Sequence, residues 1–352
     1  MACGPFIKKI SETQELKGEQ REDMAEIFGT FGPSCASREV LEEMFRAGMT
    51  GIRLNLSHCD LADSADMIRA YHASANAAGV RARLVIDAQG PELRVGTLAR
   101  PIRLEDGAAV FLGDGGIPVP APVLEALEPG GQILLDDGKL ALQITAAGKA
   151  GAEARVIRGG ILTGRKSIKL PGKHLRLPVL TERDLQNIRR ASEFGVTGLL
   201  QPFVQRGEEL RELRARLAEN GAGSLKIFAK IETLDGAAHL SEILPQADVI
   251  VIARGDLGND MPLWHLPAVQ KEISAACRKA EKPFVVVTQM LASMERSPVP
   301  TRAEVNDIFN AVADGAWGVM VTGETAVGRY PVETIRYLSA TAKDACRWLA
   351  QA

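Results

Sequence analysis

The sequence lacks long apolar stretches and has no excess of either charge. No apolar run reaches the ~18 residues that a membrane-spanning helix needs. The 352 residues carry a formal net charge of −2, with 24% charged residues spread along the chain. These absences give no reason to expect a membrane protein, nor a partner such as nucleic acid or an anionic membrane surface.

Cysteine is scarce and scattered. The chain has five cysteines, an odd number, and none of them forms a C-x-x-C motif. This spacing does not fit a disulfide framework and suits a reducing compartment. The first 23 residues contain no signal-type apolar core and have the composition of a charged lead-in helix. We therefore expect a cytoplasmic protein.

Eight short apolar runs alternate with segments of helical length and amphipathic spacing. The runs are 26–32, 51–57, 81–88, 198–204, 225–232, 249–255, 283–290 and 318–324. Strand–helix alternation with nearly continuous apolar strands predicts an α/β fold with a parallel sheet covered by helices. Eight units favour a closed (β/α)8 TIM barrel, whose site lies at the carboxyl ends of the strands. A doubly wound open sheet is the alternative, although the Gly-rich "LGDGGIPVP" does not open a helix as a dinucleotide-binding motif would.

One long interval interrupts this alternation. Residues 91–177 consist of short alternating runs punctuated by Gly and Pro, as in "GQILLDD" and "AEARVIRGG". This pattern predicts a small all-β domain inserted after the third strand. The predicted domains are therefore residues 1–90 with 178–352, forming the barrel, and residues 91–177, forming an insert that could act as a lid over the site.

Polar residues gather at the ends of the predicted strands. Residues two apart on a strand share a face, so Lys230 and Glu232 are expected to project to the same side. In a barrel, all these strand ends meet at one mouth, where buried charges need partners. The strand-end residues are Arg53, Asn55, Ser57 and His58; Asp87, Glu92 and Arg94; Lys230 and Glu232; Arg254, Gly255 and Asp256; Thr288 and Gln289; Thr322 and Glu324.

Two of these carboxylates, Glu232 and Asp256, lie on adjacent predicted strands. Mg²⁺ typically takes one or two carboxylates and completes its octahedron with water and substrate oxygens. The alternative is that Glu232 pairs with Lys230 or Arg254 and binds no metal, since ion-pair networks also occupy barrel mouths. A helix starting near Gly255 would present backbone N–H groups to a carboxylate or phosphate.

An ordered set of motifs spans about residues 26–340. It includes "DAQGPELRVG", "RKSIKLPG", "IFAKIETLDG", "VIARGDLG", "TQMLASM" and "PTRAEVNDIFNAVADGAWGVMVTGETAVGRYP". Together these motifs resemble the pyruvate kinase family. No single motif is decisive, but their order and spacing are specific. The resemblance implies a glycolytic kinase with a barrel and an inserted lid, which transfers the phosphoryl group of phosphoenolpyruvate to ADP and yields pyruvate and ATP.

The resemblance also implies roles for individual residues on the phosphoenolpyruvate side. Lys230 matches the lysine that stabilises the transferring phosphoryl group, and Arg53 matches the arginine on the substrate phosphate. Glu232 and Asp256 match the ligands of Mg²⁺ (or Mn²⁺). The amides of Gly255 and Asp256 match the cradle of the substrate carboxylate. Thr288 matches the threonine on the proton-donor path, with Glu324 supporting the site from the eighth strand.

The remaining matches concern a monovalent cation and the nucleotide. Asn55, Ser57, Asp87 and the carbonyl of Ala88 match the K⁺ site, and Glu92 matches the residue that accompanies K⁺ dependence in this family. Four residues match positions on the nucleotide side: His58, Arg94, Asp137 and Lys166.

The sequence also departs from the family pattern. Gln89 stands where a lysine is usual, and Pro202 and Gln205 replace a serine and an arginine after the fourth strand. These changes leave two other functions open: a relative that uses phosphoenolpyruvate or a related enolate-forming acid in lyase or carbon–carbon bond chemistry, or a non-catalytic ligand-binding protein. Little sequence follows the eighth unit, so we expect no C-terminal effector domain and, at most, a homodimer.

Overall fold

A computed structural model describes residues 24–90, 93–136, 138–173 and 178–351. These residues form two compact units. The first contains the described residues up to Gly90 and from Val179 onward, and the second contains those between. The predicted insert at 91–177 overlaps the second unit, and its action as a lid stays a prediction. The lead-in helix predicted before residue 24 lies outside the described residues.

The strands are named in chain order, and eight of them lie in the first unit. They are β1 (Glu26–Thr30), β2 (Gly51–Asn55), β3 (Arg83–Asp87), β4 (Ile102–Leu104), β5 (Ala109–Leu112), β6 (Gln132–Leu135), β7 (Leu140–Gly148), β8 (Gly151–Arg158), β9 (Gly160–Leu162), β10 (Ile168–Lys169), β11 (Gly198–Gln201), β12 (Lys226–Ile231), β13 (Val249–Ala253), β14 (Phe284–Val287) and β15 (Gly318–Met320).

The described helices lie mostly between the strands of the first unit. They are α1 (Arg38–Arg46), α2 (Ala65–Ala77), α3 (Ala121–Ala126), α4 (Glu182–Arg189), α5 (Gly207–Glu219), α6 (Leu234–Ala238), α7 (Leu240–Ile243), α8 (Arg254–Asn259), α9 (Leu266–Lys279), α10 (Arg302–Ala313), α11 (Gly323–Ala326) and α12 (Pro331–Gln351). Three short 3-10 helices, at 33–35, 263–265 and 292–295, complete the set.

The eight strands of the first unit close into a parallel barrel in the order β1-β15-β14-β13-β12-β11-β3-β2. The barrel prediction is confirmed, and the open-sheet alternative is wrong, because β1 pairs with both β2 and β15 and leaves no edge. The register pairs Asn55 of β2 with Asp87 of β3, at the carboxyl ends of both strands. Residues that end neighbouring strands therefore meet at one rim.

Apolar side chains fill the barrel interior below that rim. Phe28, Phe228 and Trp317 form an aromatic cluster, with ring centroids 6.1–6.5 Å apart. Small residues make room for these rings: a Cβ on Gly51 would come 2.4 Å from Phe28. The whole of β13 is buried, as expected for a strand covered on both faces.

The second unit is antiparallel and has its own apolar core. Its five-stranded sheet has the order β10-β6-β7-β8-β5, and β4 pairs with β9. The exposure of β8 alternates along most of its length, which is the pattern of a strand with one face on a core. Within the described ranges of the chain, no helix is both long and apolar enough to cross a membrane.

The aromatic cluster provides a test of the barrel interior. Phe28→Ala removes a fully buried ring and should lower the free energy of unfolding by about 3–5 kcal/mol, because neighbouring strands cannot collapse into the space. Trp264→Ala, which removes a ring that is 78% exposed, should change that free energy by less than about 0.5 kcal/mol. Denaturant titration of both variants checks this. Equal effects would contradict a packed interior around Phe28.

Candidate active site

The carboxylate of Asp87 joins two cations at the barrel mouth. Arg53 donates from Nε to Asp87 Oδ2 at 2.7 Å, and its Nη2 lies at the same distance from that oxygen. Lys230 Nζ lies 2.9 Å from Oδ1 and donates to Oδ2 at 3.2 Å. Arg53 lies in β2, Asp87 ends β3 and Lys230 lies near the end of β12. The sheet order β12-β11-β3-β2 places these three residues on neighbouring strands of the barrel.

Burial makes this contact a strong one. The side chain of Asp87 is 3% exposed, and those of Lys230 and Arg53 are 13% and 15% exposed. Burial alone would raise the pKa of Asp87, but the charges of Lys230 and Arg53 outweigh it and hold that pKa below its usual range. Burial likewise opposes the charged form of Lys230, yet Asp87 and Glu232 raise its pKa. Asp87 and Lys230 are therefore both charged at neutral pH.

Glu232 lies next to these three residues, and its negative charge is balanced less fully by nearby positive charge. Its Oε1 is 3.4 Å from Lys230 Nζ, and its Oε2 accepts a hydrogen bond of 2.8 Å from the backbone N–H of Phe203. Burial raises the pKa of Glu232, Lys230 offsets part of that effect, and the negative charges of Asp256 and Asp87 raise it further. The ion pair with Lys230 is thus present and leaves Glu232 with surplus negative charge around it.

A divalent cation would balance the negative charge around Glu232. Asp256 is an exposed residue of α8, which begins directly after β13, and its charge is close enough to raise the pKa of Glu232. A cation between the two carboxylates would remove their repulsion. No group of three or more His, Cys, Asp or Glu side chains suited to a metal occurs among the described residues. Two carboxylates suffice for Mg²⁺ when substrate and water supply the other oxygens.

Thr288 has a strained backbone that buried groups hold in place. Its φ is +73°, and the next residue, Gln289, has φ +54°, a region that is rare for residues with a side chain. Arg254 donates from Nη2 to the carbonyl of Thr288 at 2.7 Å and is itself paired with Asp307 at 2.6 Å. The Thr288 hydroxyl donates to the carbonyl of Val287 at 2.5 Å. The side chain is therefore fixed at the rim.

The predicted carboxylate cradle includes the backbone N–H of Gly255 and stays a prediction. The backbone N–H of Gly255 lies at the start of α8 but donates to Thr288 Oγ1 at 2.7 Å. Thr288 and Gly255 are thus coupled, as neighbours in one site would be. A ligand carboxylate that used the Gly255 amide would replace the Thr288 hydroxyl as its acceptor.

Glu324 lies on α11, just after β15, and contacts the loop that follows Thr288. Its carboxylate, 1% exposed, accepts hydrogen bonds from the backbone N–H of Leu291 at 3.2 Å and of Thr322 at 2.7 Å. It thereby ties the segment after Thr288 to the eighth barrel strand. The supporting role predicted for Glu324 stays a prediction.

The residues predicted for K⁺ lie together at the ends of β2 and β3. Asn55 Oδ1 accepts from the N–H of Ser57 at 3.2 Å, and the N–H of Ala88 donates to Leu200. Asp87 Oδ1 is buried, and its contact is the ion pair with Lys230 Nζ at 2.9 Å. A K⁺ ion at this oxygen would share it with the Lys230 ammonium.

The predicted nucleotide residues fall in both units. His58 is exposed and follows β2 in the first unit, whereas Arg94 and Lys166 lie in the second unit. Arg94 donates to the carbonyl of Arg165 at 2.9 Å, and Lys166 pairs with Asp136 at 2.8 Å. Glu92 and Asp137 lie outside the described residues, so their predicted roles stay predictions.

The departures from the family pattern lie at one side of the mouth. Pro202 is buried after β11, and a Cβ on Gly90 would come 2.6 Å from its ring. The backbone N–H of Gln89 donates to Asp184 at 2.8 Å, and that of Gln205 donates to Glu209 at 2.7 Å. These substitutions therefore leave the loop backbones anchored.

Two partners of site residues, the partly buried Asp307 and the buried Asp184, were missed from the sequence. Asp307, on α10, compensates Arg254, and Asp184, on α4, accepts from the loop after β3. Thr181 and Asp184 form a capping box, which the pattern Thr-x-x-Asp before a helix signals. That signal locates a helix start but not a contact with a residue 95 positions away in the chain.

Comparison with known proteins agrees with this geometry. Residues 22–335 match the family model described as pyruvate kinase, barrel domain. The chain is 36% identical to a pyruvate kinase of Aeropyrum pernix over 327 residues, which cover 92% of this chain and 71% of that protein. It is 38% identical to one of Methylorubrum extorquens over 342 residues, covering 94% and 71%.

A third relative is matched over less of its length. The chain is 36% identical to a pyruvate kinase of Geobacillus stearothermophilus over 321 residues, 88% of this chain and 55% of that protein. The fold and the polar rim define a (β/α)8-barrel enzyme with its site at the carboxyl ends of the strands. With these comparisons, the chain belongs to the pyruvate kinase family, whose general role is phosphoryl transfer.

The raised pKa of Glu232 predicts a specific dependence of stability on pH. An acid whose pKa is raised by folding holds its proton to a higher pH in the folded state than in the unfolded state, so stability falls as pH rises through that window. Glu232→Gln removes this loss while keeping an oxygen for the Phe203 N–H. Relative to wild type, the variant should therefore gain stability as pH rises from about 4.3, the ordinary value for Glu.

Denaturant titrations of wild type and Glu232→Gln between pH 4 and 8, without divalent ions, would measure this difference. We expect the difference in free energy of unfolding to move in favour of the variant with rising pH and to level off above the raised pKa. A difference that moves in favour of wild type would contradict the uncompensated burial of Glu232.

Proposed function

We propose that this protein transfers the phosphoryl group of phosphoenolpyruvate to ADP, forming pyruvate and ATP, with Mg²⁺ or Mn²⁺ and with dependence on K⁺. The observation that carries the proposal is the meeting of Arg53 and Lys230 on Asp87 beside Glu232 at the barrel mouth. Such an arrangement offers two fixed cations to an anionic substrate and a carboxylate to its metal ion.

Lys230 and Arg53 differ in what they give a phosphoryl group. In phosphoryl transfer the protein contributes mainly positioning and neutralisation of developing charge. The guanidinium of Arg53 offers a planar fork for phosphate oxygens, and the ammonium of Lys230 is a compact charge. Asp87 holds both in place, so little reorganisation is needed when the phosphorus–oxygen bond of phosphoenolpyruvate breaks and a new one forms to the terminal phosphate of ADP.

Glu232 and Asp256 are the residues that would hold the divalent ion. When bound, such an ion stabilises negative charge on phosphoryl and enolate oxygens. Glu232 is kept in position by the Phe203 N–H, and Asp256 by its place in the first turn of α8. For K⁺, Asp87, whose Oδ1 also contacts Lys230, would provide oxygen ligands together with Asn55 and Ser57.

Thr288 is suited to the protonation that completes the reaction. Loss of the phosphoryl group leaves an enolate, whose methylene carbon takes a proton to give pyruvate. The Thr288 hydroxyl both donates and accepts hydrogen bonds at the rim, so it can pass a proton from water to that carbon. Arg254 holds the strained backbone of Thr288, and Glu324 ties the segment that follows it. These contacts keep the hydroxyl in place at the rim.

The partners proposed outside the site are few. Arg94 and Lys166 in the second unit, with His58 in the first, would contact ADP or ATP, and the second unit would act as the lid. We also propose a cytoplasmic location, a role in glycolysis and a homodimer as the largest assembly. No nucleic acid or membrane partner is proposed.

The test is pyruvate formation from phosphoenolpyruvate and ADP, with and without Mg²⁺ and K⁺. We expect turnover that chelation abolishes and K⁺ stimulates. Lys230→Met should lower kcat by at least about 10³-fold, since an electrostatic contact to the transition state is lost. Lys226→Met is the matched control: this lysine begins the same strand and pairs with Asp248, so turnover should persist.

Absence of turnover would contradict the proposed reaction. Thermal unfolding with phosphoenolpyruvate and Mg²⁺ then separates the alternatives, because a ligand that binds the folded state raises the melting temperature. Protection without turnover would direct the search to another acceptor, lyase or carbon–carbon bond chemistry, or a binding role. No protection would mean that the mouth does not bind this substrate.

A further inference from the structure

Asp184 is a buried carboxylate that the reaction does not use. It lies on α4, is 1% exposed, and accepts four hydrogen bonds. Oδ1 accepts from the N–H of Gln89 at 2.8 Å, and Oδ2 accepts from the N–H of Gly90 at 3.1 Å. Oδ2 also accepts from the N–H and the hydroxyl of Thr181, at 3.0 and 2.7 Å.

The donors to Asp184 come from two particular segments. Gly90 is the last residue of the first unit before the chain enters the second, and Val179 is the first residue after it returns. Asp184 therefore bonds both the departing segment, at 89–90, and the returning one, at 181. One carboxylate of the barrel fixes the two covalent connections of the inserted unit.

Neighbouring contacts reinforce both connections. Gln201, buried at the end of β11, donates from Nε2 to the carbonyl of Val179 at 2.9 Å. Gly90 has φ +61° and lies so close to Pro202 that a Cβ would come 2.6 Å from the ring. The returning connection is thus held by Gln201 of β11 as well as by Asp184. The departing connection packs against the ring of Pro202 and is also bonded by Asp184.

Helix capping alone does not account for these bonds. A capping box needs only the reciprocal bonds between the cap residue and the acid three residues later, here Thr181 and Asp184. The chain has a similar box at Thr301 and Glu304, where the acid accepts two bonds from its own cap and two from Ser293. That acid ties a loop within the barrel unit, whereas Asp184 ties the connections.

We propose that Asp184 is a positioning residue that anchors the inserted unit for use of the nucleotide. The anchoring itself rests on contacts within the barrel unit, and its effect on catalysis rests on the proposed function, in which Arg94 and Lys166 of the inserted unit contact ADP. Loosening the connections would then weaken the interaction with ADP and leave that with phosphoenolpyruvate, whose contacts come from the barrel strands.

The experiment compares Asp184→Asn with Glu304→Gln in the full chain. An amide in place of the carboxylate keeps one acceptor oxygen and turns the other into a donor, so bonds to both segments cannot all persist. In Asp184→Asn, amide hydrogen exchange at residues 89–90 should accelerate at least about tenfold. Glu304→Gln should accelerate exchange around Ser293 and leave residues 89–90 unchanged.

Kinetics supplies the second readout. Asp184→Asn should raise the KM for ADP at least about fivefold while the KM for phosphoenolpyruvate stays within about twofold, a split that general destabilisation does not produce. Glu304→Gln should show neither change. If Asp184→Asn does not fold, Thr181→Ala, which removes one of the four donors, should show the same effects on a smaller scale.

The outcomes separate the two proposals. Unchanged exchange at residues 89–90 in Asp184→Asn would overturn the anchoring. Accelerated exchange with equal changes in both KM values, or with none, would overturn the positioning role. If wild type shows no turnover, the proposed function fails, and the exchange measurement still decides whether Asp184 anchors the connections.

Discussion

The buried contact of Asp87 with Arg53 and Lys230 is the constraint around which the barrel mouth is arranged. An ammonium and a guanidinium with most of their surface removed from water would each lose several kcal/mol of hydration without a partner. Asp87 supplies that partner within 3 Å of both, and the strand order β12-β11-β3-β2 places the three residues near one another. Glu232 lies beside Lys230, and burial together with the charges of Asp256 and Asp87 raises its pKa; the divalent cation that we propose there would balance this negative charge.

The same logic of charge compensation extends around the rim. Arg254 is buried with Asp307 as counter-ion and uses its remaining donors to hold the strained backbone of Thr288. Glu324 ties the following residues to β15. The groups that we propose bind or protonate a substrate are therefore carried on strands and on loops whose backbones are fixed by buried side chains. Such preorganisation lowers the reorganisation needed during reaction. It also gives a reason for charged residues to be buried at the rim, where apolar side chains would be buried at a lower cost in free energy.

Much of this arrangement could be predicted from the sequence. The eight apolar runs predict the barrel because fully covered parallel strands have a recognisable composition, and the same-face spacing of Lys230 and Glu232 predicts that they act together. The counter-ions could not be predicted this way. Asp87 was assigned by resemblance to a K⁺ site, yet its main contacts are with Lys230 and Arg53; Asp307 and Asp184 lie on helices far away in the chain. Such pairings depend on how distant segments pack together and on side-chain conformation. Neither can be predicted from the local spacing of residues in the sequence.

A double-mutant cycle between Asp87 and Lys230 tests the central claim most directly. The free energies of unfolding of wild type, Asp87→Asn, Lys230→Met and the double variant would be measured at pH 7 without ligands. If the two charges compensate each other as the 2.9 Å contact indicates, the double variant should be more stable than the sum of the single losses predicts, by about 1–3 kcal/mol. Losses that add to within about 0.5 kcal/mol would contradict the account, because Lys230 would then be buried in its charged form without depending on Asp87.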